Sequence, residues 1–162
     1  PSQTSSKSGE LNSTTPKTKT ACPTNRQIGK PVDLLTVKAL LALPLTQLPS
    51  EEYYFCSASD CSTVYYSAKG TSRFNEDDLR EKVYQKRPDD DNVFVCYCFR
   101  YTVGCIRKEI EKTGASSVVT AITHGIQAGQ CACEIRNPDG GCCLGNVRAT
   151  LRRITVETNA RS

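Results

Sequence analysis

The chain has 162 residues, ten of them cysteine, with no Trp, no Met and only four Phe. So few large side chains build a modest core that a staple would help, and the length allows one domain or two small lobes plus a tail. A net charge of +4 excludes little; the Lys residues near the N-terminus and Arg148, Arg152, Arg153 and Arg161 read as solvated faces rather than as a nucleic-acid site.

No apolar run is long enough to insert in a membrane, and the N-terminal stretch lacks the apolar segment of a secretory signal. The expected location is cytoplasmic. The opening Pro fits either removal of an initiator Met or a trimmed precursor. Ten cysteines in such a chain read as metal ligands before disulfides, because the neighbours in Cys-x-Cys and Cys-Cys pairs rarely bond each other.

Residues 1–20 are polar with a single Leu. They cannot offset the entropy of ordering and read as a disordered N-terminal tail. Residues 21–92 are expected to form a β-rich zinc-binding lobe. Cys22-Pro23-Thr24-Asn25, followed by Gly29-Lys30-Pro31, reads as a knuckle-type turn whose N–H groups point at a thiolate. Asn25 stands where a second cysteine would complete a zinc half-site, so the turn supplies one sulfur. Leu34-Leu35-Thr36-Val37 fits a strand, while Val37, Leu40 and Leu41 fit a short helix stopped by Pro44; the pattern does not separate the two. Tyr53-Tyr54-Phe55-Cys56 and Thr63-Val64-Tyr65-Tyr66 are expected strands. Cys56 and Cys61 flank the turn between them, which places two thiolates on one ion; a hairpin disulfide is the plainer alternative. With Cys22 they give three sulfurs for a mononuclear zinc. Its fourth ligand would be Asp60, Asn25, a spare cysteine such as Cys142, or water, and with water the site would be open to metal exchange. Residues 68–92 are expected to add a hairpin with a strand over residues 80–84. The charged run Lys86-Arg87-Pro88-Asp89-Asp90-Asp91 is then a hinge between lobes, its acidic triplet a solvated turn.

Residues 93–157 are expected to form a helical lobe binding [2Fe-2S], followed by a short tail over 158–162. Val93-Phe94-Val95-Cys96 leads into it. Thr102 and Gly114 bound one helix with Val103, Ile106 and Ile110 on its apolar face. Ser116 or Ser117 and Gly129 bound a second with Val118, Ile122 and Ile126, and the two stripes are expected to pack as an antiparallel pair. Asn137-Pro138-Asp139-Gly140-Gly141 is a tight turn. Leu144, Val147, Leu151 and Ile154 mark a closing helix that frays into extended chain at Thr155-Val156-Glu157.

The helical hairpin returns Cys131, Cys133, Cys142 and Cys143 to the neighbourhood of Cys96 and Cys98. A [2Fe-2S] cluster takes four thiolates, two on each iron. The Cys-x-Cys spacing lets Cys96 and Cys98 share one iron, and the far loop supplies two sulfurs to the other. Tyr97 and Phe99 either shield such a cluster or serve as ordinary packing. His124, off the apolar stripe, reads as structural or exposed, and Cys105 as a buried thiol. No Ser-His-Asp set, phosphate-binding glycine loop or His-Glu-x-x-His is present, so the chain offers no organised catalytic machinery.

Tyr-Tyr-Phe-Cys-x4-Cys at 53–61, Val-Cys-Tyr-Cys-Phe at 95–99 and the run from Cys133 through Asn137-Pro138 to Cys142-Cys143-Leu144-Gly145 together resemble the N-terminal domain of CopZ-type copper chaperones, a zinc and [2Fe-2S] protein. The likeness covers about residues 21–150. The Cys-x-Cys, helical hairpin, Cys layout is also similar to bacterioferritin-associated ferredoxin, which binds the same cluster. The resemblance implies an α+β fold, cluster ligation by Cys96, Cys98, Cys133 and Cys143 with Cys131 and Cys142 as competitors, and zinc ligation by Cys22, Cys56 and Cys61. It further implies one-electron transfer in copper homeostasis, with a copper chaperone or copper-transporting ATPase and a redox protein as partners. A ferredoxin-like carrier for an unrelated reductase and a metal-stapled assembly module are the alternatives. The Met-x-Cys-x-x-Cys loop of the βαββαβ copper-carrying module does not occur in these residues, so the resemblance supports the metal centres more directly than copper delivery.

Overall fold

The computed structural model of the chain describes residues 20–162; apart from Thr20, the tail expected at the N-terminus lies outside them. The fold is α+β, a β-rich lobe followed by a helical one. The first lobe is an antiparallel meander of β1 (Lys30–Val32), β2 (Tyr53–Phe55), β3 (Thr63–Ser67) and β4 (Arg73–Asn75), in that spatial order. β1 has no counterpart in the sequence pattern. It holds Pro31 at the sheet edge, where a missing N–H removes no ladder bond. β2 and β3 are the two aromatic strands, registered Tyr54 to Tyr66 and Phe55 to Tyr65. Side chains alternate across a strand. Tyr53, Phe55 and Tyr65 therefore enter a core with Val37, Leu40 and Leu41. Tyr54 and Tyr66 face the other way, stacked at 5.7 Å, in a smaller cluster with Cys22, Cys56 and Cys61.

Of the two readings at residues 34–48, the helix is the one that forms: α1 (Leu34–Leu40) buries Thr36, Val37 and Leu40 on one face. It ends before Pro44, with Leu41 N–H still bonded to Val37 O. The strand expected over residues 80–84 does not form. Leu79 makes a single bridge to Leu41 and Arg80 N–H reaches Leu40 O, but the later donors go elsewhere. Val83 N–H bonds to Glu76 Oε2 and Tyr84 N–H to Tyr97 Oη, each at 3.0 Å. With no ladder left to join, residues 84–86 close as a 3-10 turn.

The second lobe contains β5 (Phe94–Cys96), β6 (Tyr101–Thr102), α2 (Val103–Thr113), α3 (Val118–Gln127), α4 (Cys133–Arg136) and α5 (Leu144–Ala160). Thr102 caps α2 by accepting Cys105 N–H at 3.1 Å, and Gly114 ends it in the left-handed region at φ 78°, as expected. The two stripes meet chiefly through α5: Ile106, Ile110, Val118 and Ile122 share one core with Val147 and Ile154. α5 stays helical to Ala160 instead of fraying at Thr155, because Ile154 is fully buried and Arg107 holds Glu157 at 2.9 Å. Cys105 is exposed rather than buried; at about 100° per residue it falls outside the stripe of Val103, Ile106 and Ile110. Among the described residues no helix is long and apolar enough to cross a membrane.

The lobes interlock along residues 134–139. Thr36 Oγ1 donates to Glu134 O and Tyr65 Oη to Pro138 O, both at 2.5 Å. Lys30 pairs with Asp139 at 3.8 Å. The charged loop at 86–91 is tied to both sides: Lys86 Nζ donates to Ala58 O at 2.7 Å, Arg87 meets Glu76, Asp89 meets Arg153, and Asp91 meets Arg107.

Phe99, the residue after Cys98, packs against the backbone of α3 at Gly125, where an added Cβ would come within 2.3 Å of its ring. Gly125→Val should therefore cost about 1–3 kcal/mol in denaturant unfolding of the metal-loaded protein. In a Phe99→Ala background the same substitution should cost less than half as much. An equal cost in both backgrounds would place the obstacle somewhere other than the ring.

Candidate metal centres

The first group of thiols is assembled by the sheet and the knuckle. Cys56 follows β2 and is held by its N–H to Val64 O. Cys61 returns through a turn closed by its own N–H on Ala58 O. Cys22 sits in the knuckle, where Arg26 N–H bonds to Cys22 O and Cys22 N–H to Gln27 O, both at 2.8 Å. The three Sγ atoms all lie within 4.8 Å of one another, Cys22 and Cys61 at 3.9 Å, and the residues are only 0, 2 and 5% exposed. No disulfide joins Cys56 to Cys61; all ten cysteines are unbridged. Burial pushes the Cys22 thiol up, but the N–H groups of Asn25 and Thr24 and the neighbouring thiols outweigh it and leave Cys22 below the ordinary range. Burial prevails at Cys56, which is raised despite the N–H of Ala58 and the nearby Lys86 ammonium. Three convergent sulfurs with N–H donors behind them suit a thiophilic dication such as zinc.

The second group lies at the junction of β5, the turn after it, α4 and the start of α5. It forms two pairs. Cys98 and Cys133 are 3.7 Å apart, and Cys98 Sγ accepts Ala132 N–H at 3.2 Å. Cys96 and Cys143, both buried, lie near enough for each thiol to perturb the other. The Cys143 thiol, with the N–H groups of Phe99 and Cys98, pulls Cys96 down to about 7 against its burial. The Cys96 thiol and burial push Cys143 far above the thiol range. Cys133 is pushed up to about 12, first by burial and then by the Cys98 thiol, with Cys143 N–H opposing. Among the described residues no three of these four sulfurs lie within 4.8 Å of one another. The set is too spread for one ion but is gathered at one place, and thiol pairs that hold each other's protons are what a cation between them would relieve.

Each group has a left-handed, non-glycine residue in its turn: Arg26 at φ 63°, four residues after Cys22, and Arg100 at φ 61°, four after Cys96. Such backbone costs about 1–3 kcal/mol and persists only where neighbours fix it. Arg100 is fixed by the Phe94 ring 4.1 Å from its guanidinium and by Glu81.

His124 is exposed on α3. Cys131 is half-buried, as Cys98 and Cys133 are. Cys142 is exposed but near enough to add to the upward push on the Cys133 and Cys143 thiols. Tyr97 is packing: its hydroxyl donates to Lys82 O at 2.5 Å and accepts Tyr84 N–H. Sequence reasoning missed α4, whose four residues are too few to show a period, although Cys133 opens it. It also missed Asn137. That side chain is 1% exposed and ties the turn together through Nδ2 to Gly141 O at 2.8 Å.

Residues 19–80 match the family model of the CopZ zinc-binding domain. The copper chaperone CopZ of Archaeoglobus fulgidus is 33% identical over 146 residues, covering 84% of this chain and 69% of that protein. The X-ray structure of the N-terminal domain of A. fulgidus CopZ superposes with a TM-score of 0.67 at 29% identity, over 80% of this chain and 95% of that domain. The matched structure spans both thiol groups' lobes in the same order, and with identity and coverage of this extent the chain belongs to the CopZ family of copper chaperones.

Proposed function

We propose that the chain is an iron–sulfur and zinc protein of copper homeostasis that works by one-electron transfer, its residues 21–92 forming the zinc lobe and 93–157 the cluster lobe. The observation behind the iron–sulfur reading is the arrangement of four sulfurs as two close pairs, no three of them within 4.8 Å. A single tetrahedral ion with metal–sulfur bonds of about 2.3 Å holds its sulfurs about 3.8 Å apart, which is the spacing of Cys22 and Cys61. Two separated pairs suit a [2Fe-2S] group instead, with two thiolates to each iron. Cys98 with Cys133 would hold one iron and Cys96 with Cys143 the other, a different pairing from the Cys96–Cys98 chelate suggested by spacing alone. Cys131 and Cys142 stay outside the set. When bound, the group supplies one-electron transfer, which suffices to reduce Cu(II) to Cu(I) for a copper chaperone or copper-transporting ATPase, with a redox protein as the electron source.

The chain's own groups fit that task. The N–H groups of Ala132, Cys98, Phe99 and Cys143 face the sulfurs and hold negative charge. Cys96 and Cys143 are buried while Cys98 and Cys133 are partly exposed, so the Cys98–Cys133 side is the edge through which an electron passes. Phe99, half-buried beside Cys98, limits water there.

Anaerobically purified protein should carry two irons and one zinc per chain and bleach with dithionite as a paramagnetic signal appears. Cys98→Ser and Cys133→Ser should lower bound iron at least ~10-fold and spare zinc, whereas Cys131→Ser and Cys142→Ser should keep both metals. Iron retained in Cys133→Ser but lost in Cys131→Ser would reassign the ligand.

Reduced protein mixed with Cu(II) and a Cu(I)-specific chromogenic chelator should yield about one Cu(I) per cluster. An intact, reduced cluster that leaves Cu(II) untouched would favour a plain electron carrier over the copper reading.

A further inference from the structure

Three thiolates leave a tetrahedral zinc ion one ligand short. Among the described residues no fourth cysteine, histidine or carboxylate lies within reach of all three sulfurs, which removes Asp60 and Cys142 as candidates. Residues 1–19 contain neither Cys nor His. Of the protein groups that the sequence offered for the fourth position, Asn25 is the one left. Its Nδ2 donates to Cys56 Sγ at 3.5 Å, and its Oδ1 accepts Gln27 N–H at 3.0 Å. A carboxamide binds zinc through oxygen, and here the two bonds together fix the orientation with oxygen turned toward the backbone. Asn25 thus pins Cys56 in place without offering a ligand atom.

Beside the site lies a cleft of about 330 Å³ lined by Cys61, Ser59, Ser62, Asn75 and the charged residues Glu76, Asp77, Lys86 and Arg87. The Lys86 ammonium sits over the Cys56–Cys61 turn, bonded to Ala58 O at 2.7 Å. Arg87 is held by Glu76. Cys61 therefore borders a space large enough for a small molecule, where two acidic and two basic side chains balance.

We propose that Asn25 holds this site at three protein thiolates and that the fourth position takes an exchangeable external ligand, water at rest and a small thiol when metal is handed on, admitted through the cleft beside Cys61. The proposal rests on zinc occupying the site. In the exchange the incoming thiol gives its proton to solvent, its sulfur bonds to zinc, and water leaves; no electron moves.

Zinc K-edge absorption on the zinc-loaded full chain tests it, being blind to iron. The parent should show three sulfurs at about 2.3 Å and one light atom at about 2.0–2.2 Å, changing to four sulfurs on adding 3-mercaptopropionate. Asn25→Cys should show four sulfurs with no thiol added and surrender zinc to a chelator at least tenfold more slowly. Asn25→Ala should keep the three-sulfur pattern and the response to thiol. Four sulfurs in the untreated parent, or an Asn25→Cys protein with the parent's spectrum and release rate, would overturn the proposal while leaving the zinc site in place. A correctly folded chain that takes up no zinc would bring down the zinc reading itself and this inference with it.

Discussion

Sulfur crowded against sulfur in buried and half-buried positions is the constraint that the rest of the structure serves. Cys22 and Cys61 stand 3.9 Å apart, Cys98 and Cys133 3.7 Å. Two bare thiolates at such distances repel by about 4 kcal/mol even at an effective dielectric near 20, and burial adds to that. The backbone supplies partial compensation through N–H groups aimed at the sulfurs. Neutral thiols would avoid the repulsion, but they would leave those N–H groups facing weak acceptors. Cations at both places would reconcile the thiol spacing with the donors behind it, and would give a chain with no Trp and only four Phe the staples that a modest core needs.

The two lobes solve the delivery problem differently. In the sheet, alternation does it: Tyr54, Cys56 and Tyr66 share the face opposite Tyr53, Phe55 and Tyr65, so thiols arrive on a surface already floored by stacked rings. In the helical lobe no strand runs long enough for that. The sulfurs come instead from the last residue of β5, the turn after it, a four-residue helix and the residue before α5, short pieces of backbone that need outside support. It is supported by the neighbouring lobe, through Tyr65, Thr36 and Lys30 on the 134–139 segment, and by the Asn137 side chain within it.

Much of this was legible in the residues, for reasons that also mark the limits. The aromatic runs at 53–56 and 63–66 made strands because both faces of the sheet are covered and large rings fill both. Thr102 and Gly114 bound α2 because capping is local chemistry. β1 was illegible since Pro31 argues against a strand unless its edge position is known. Residues 80–84 misled because Val83 and Tyr84 are apolar enough for a strand, while their N–H groups are claimed by side chains 7 and 13 residues away. The cysteine clusters announced themselves by rarity. Their pairing did not, because Cys-x-Cys spacing favours chelation by neighbours only when the chain is extended. Here the chain turns after Cys96 with Arg100 left-handed, which sends Cys98 toward Cys133 and leaves Cys96 beside Cys143.

Tyr65 and Tyr66 connect these two designs. They are neighbours on β3 and point to opposite faces. Tyr66 closes over the knuckle, its hydroxyl accepting Gly29 N–H at 2.9 Å and donating to Thr20 O at 2.7 Å. Tyr65 reaches across to Pro138 O, and its burial raises its hydroxyl well above the usual range, so it stays a donor at any physiological pH. On one face β3 therefore lies beside the knuckle and the thiols of Cys22, Cys56 and Cys61. On the other it joins Thr36 and Lys30 in holding the turn between Cys133 and Cys143, so the same strand borders both thiol groups.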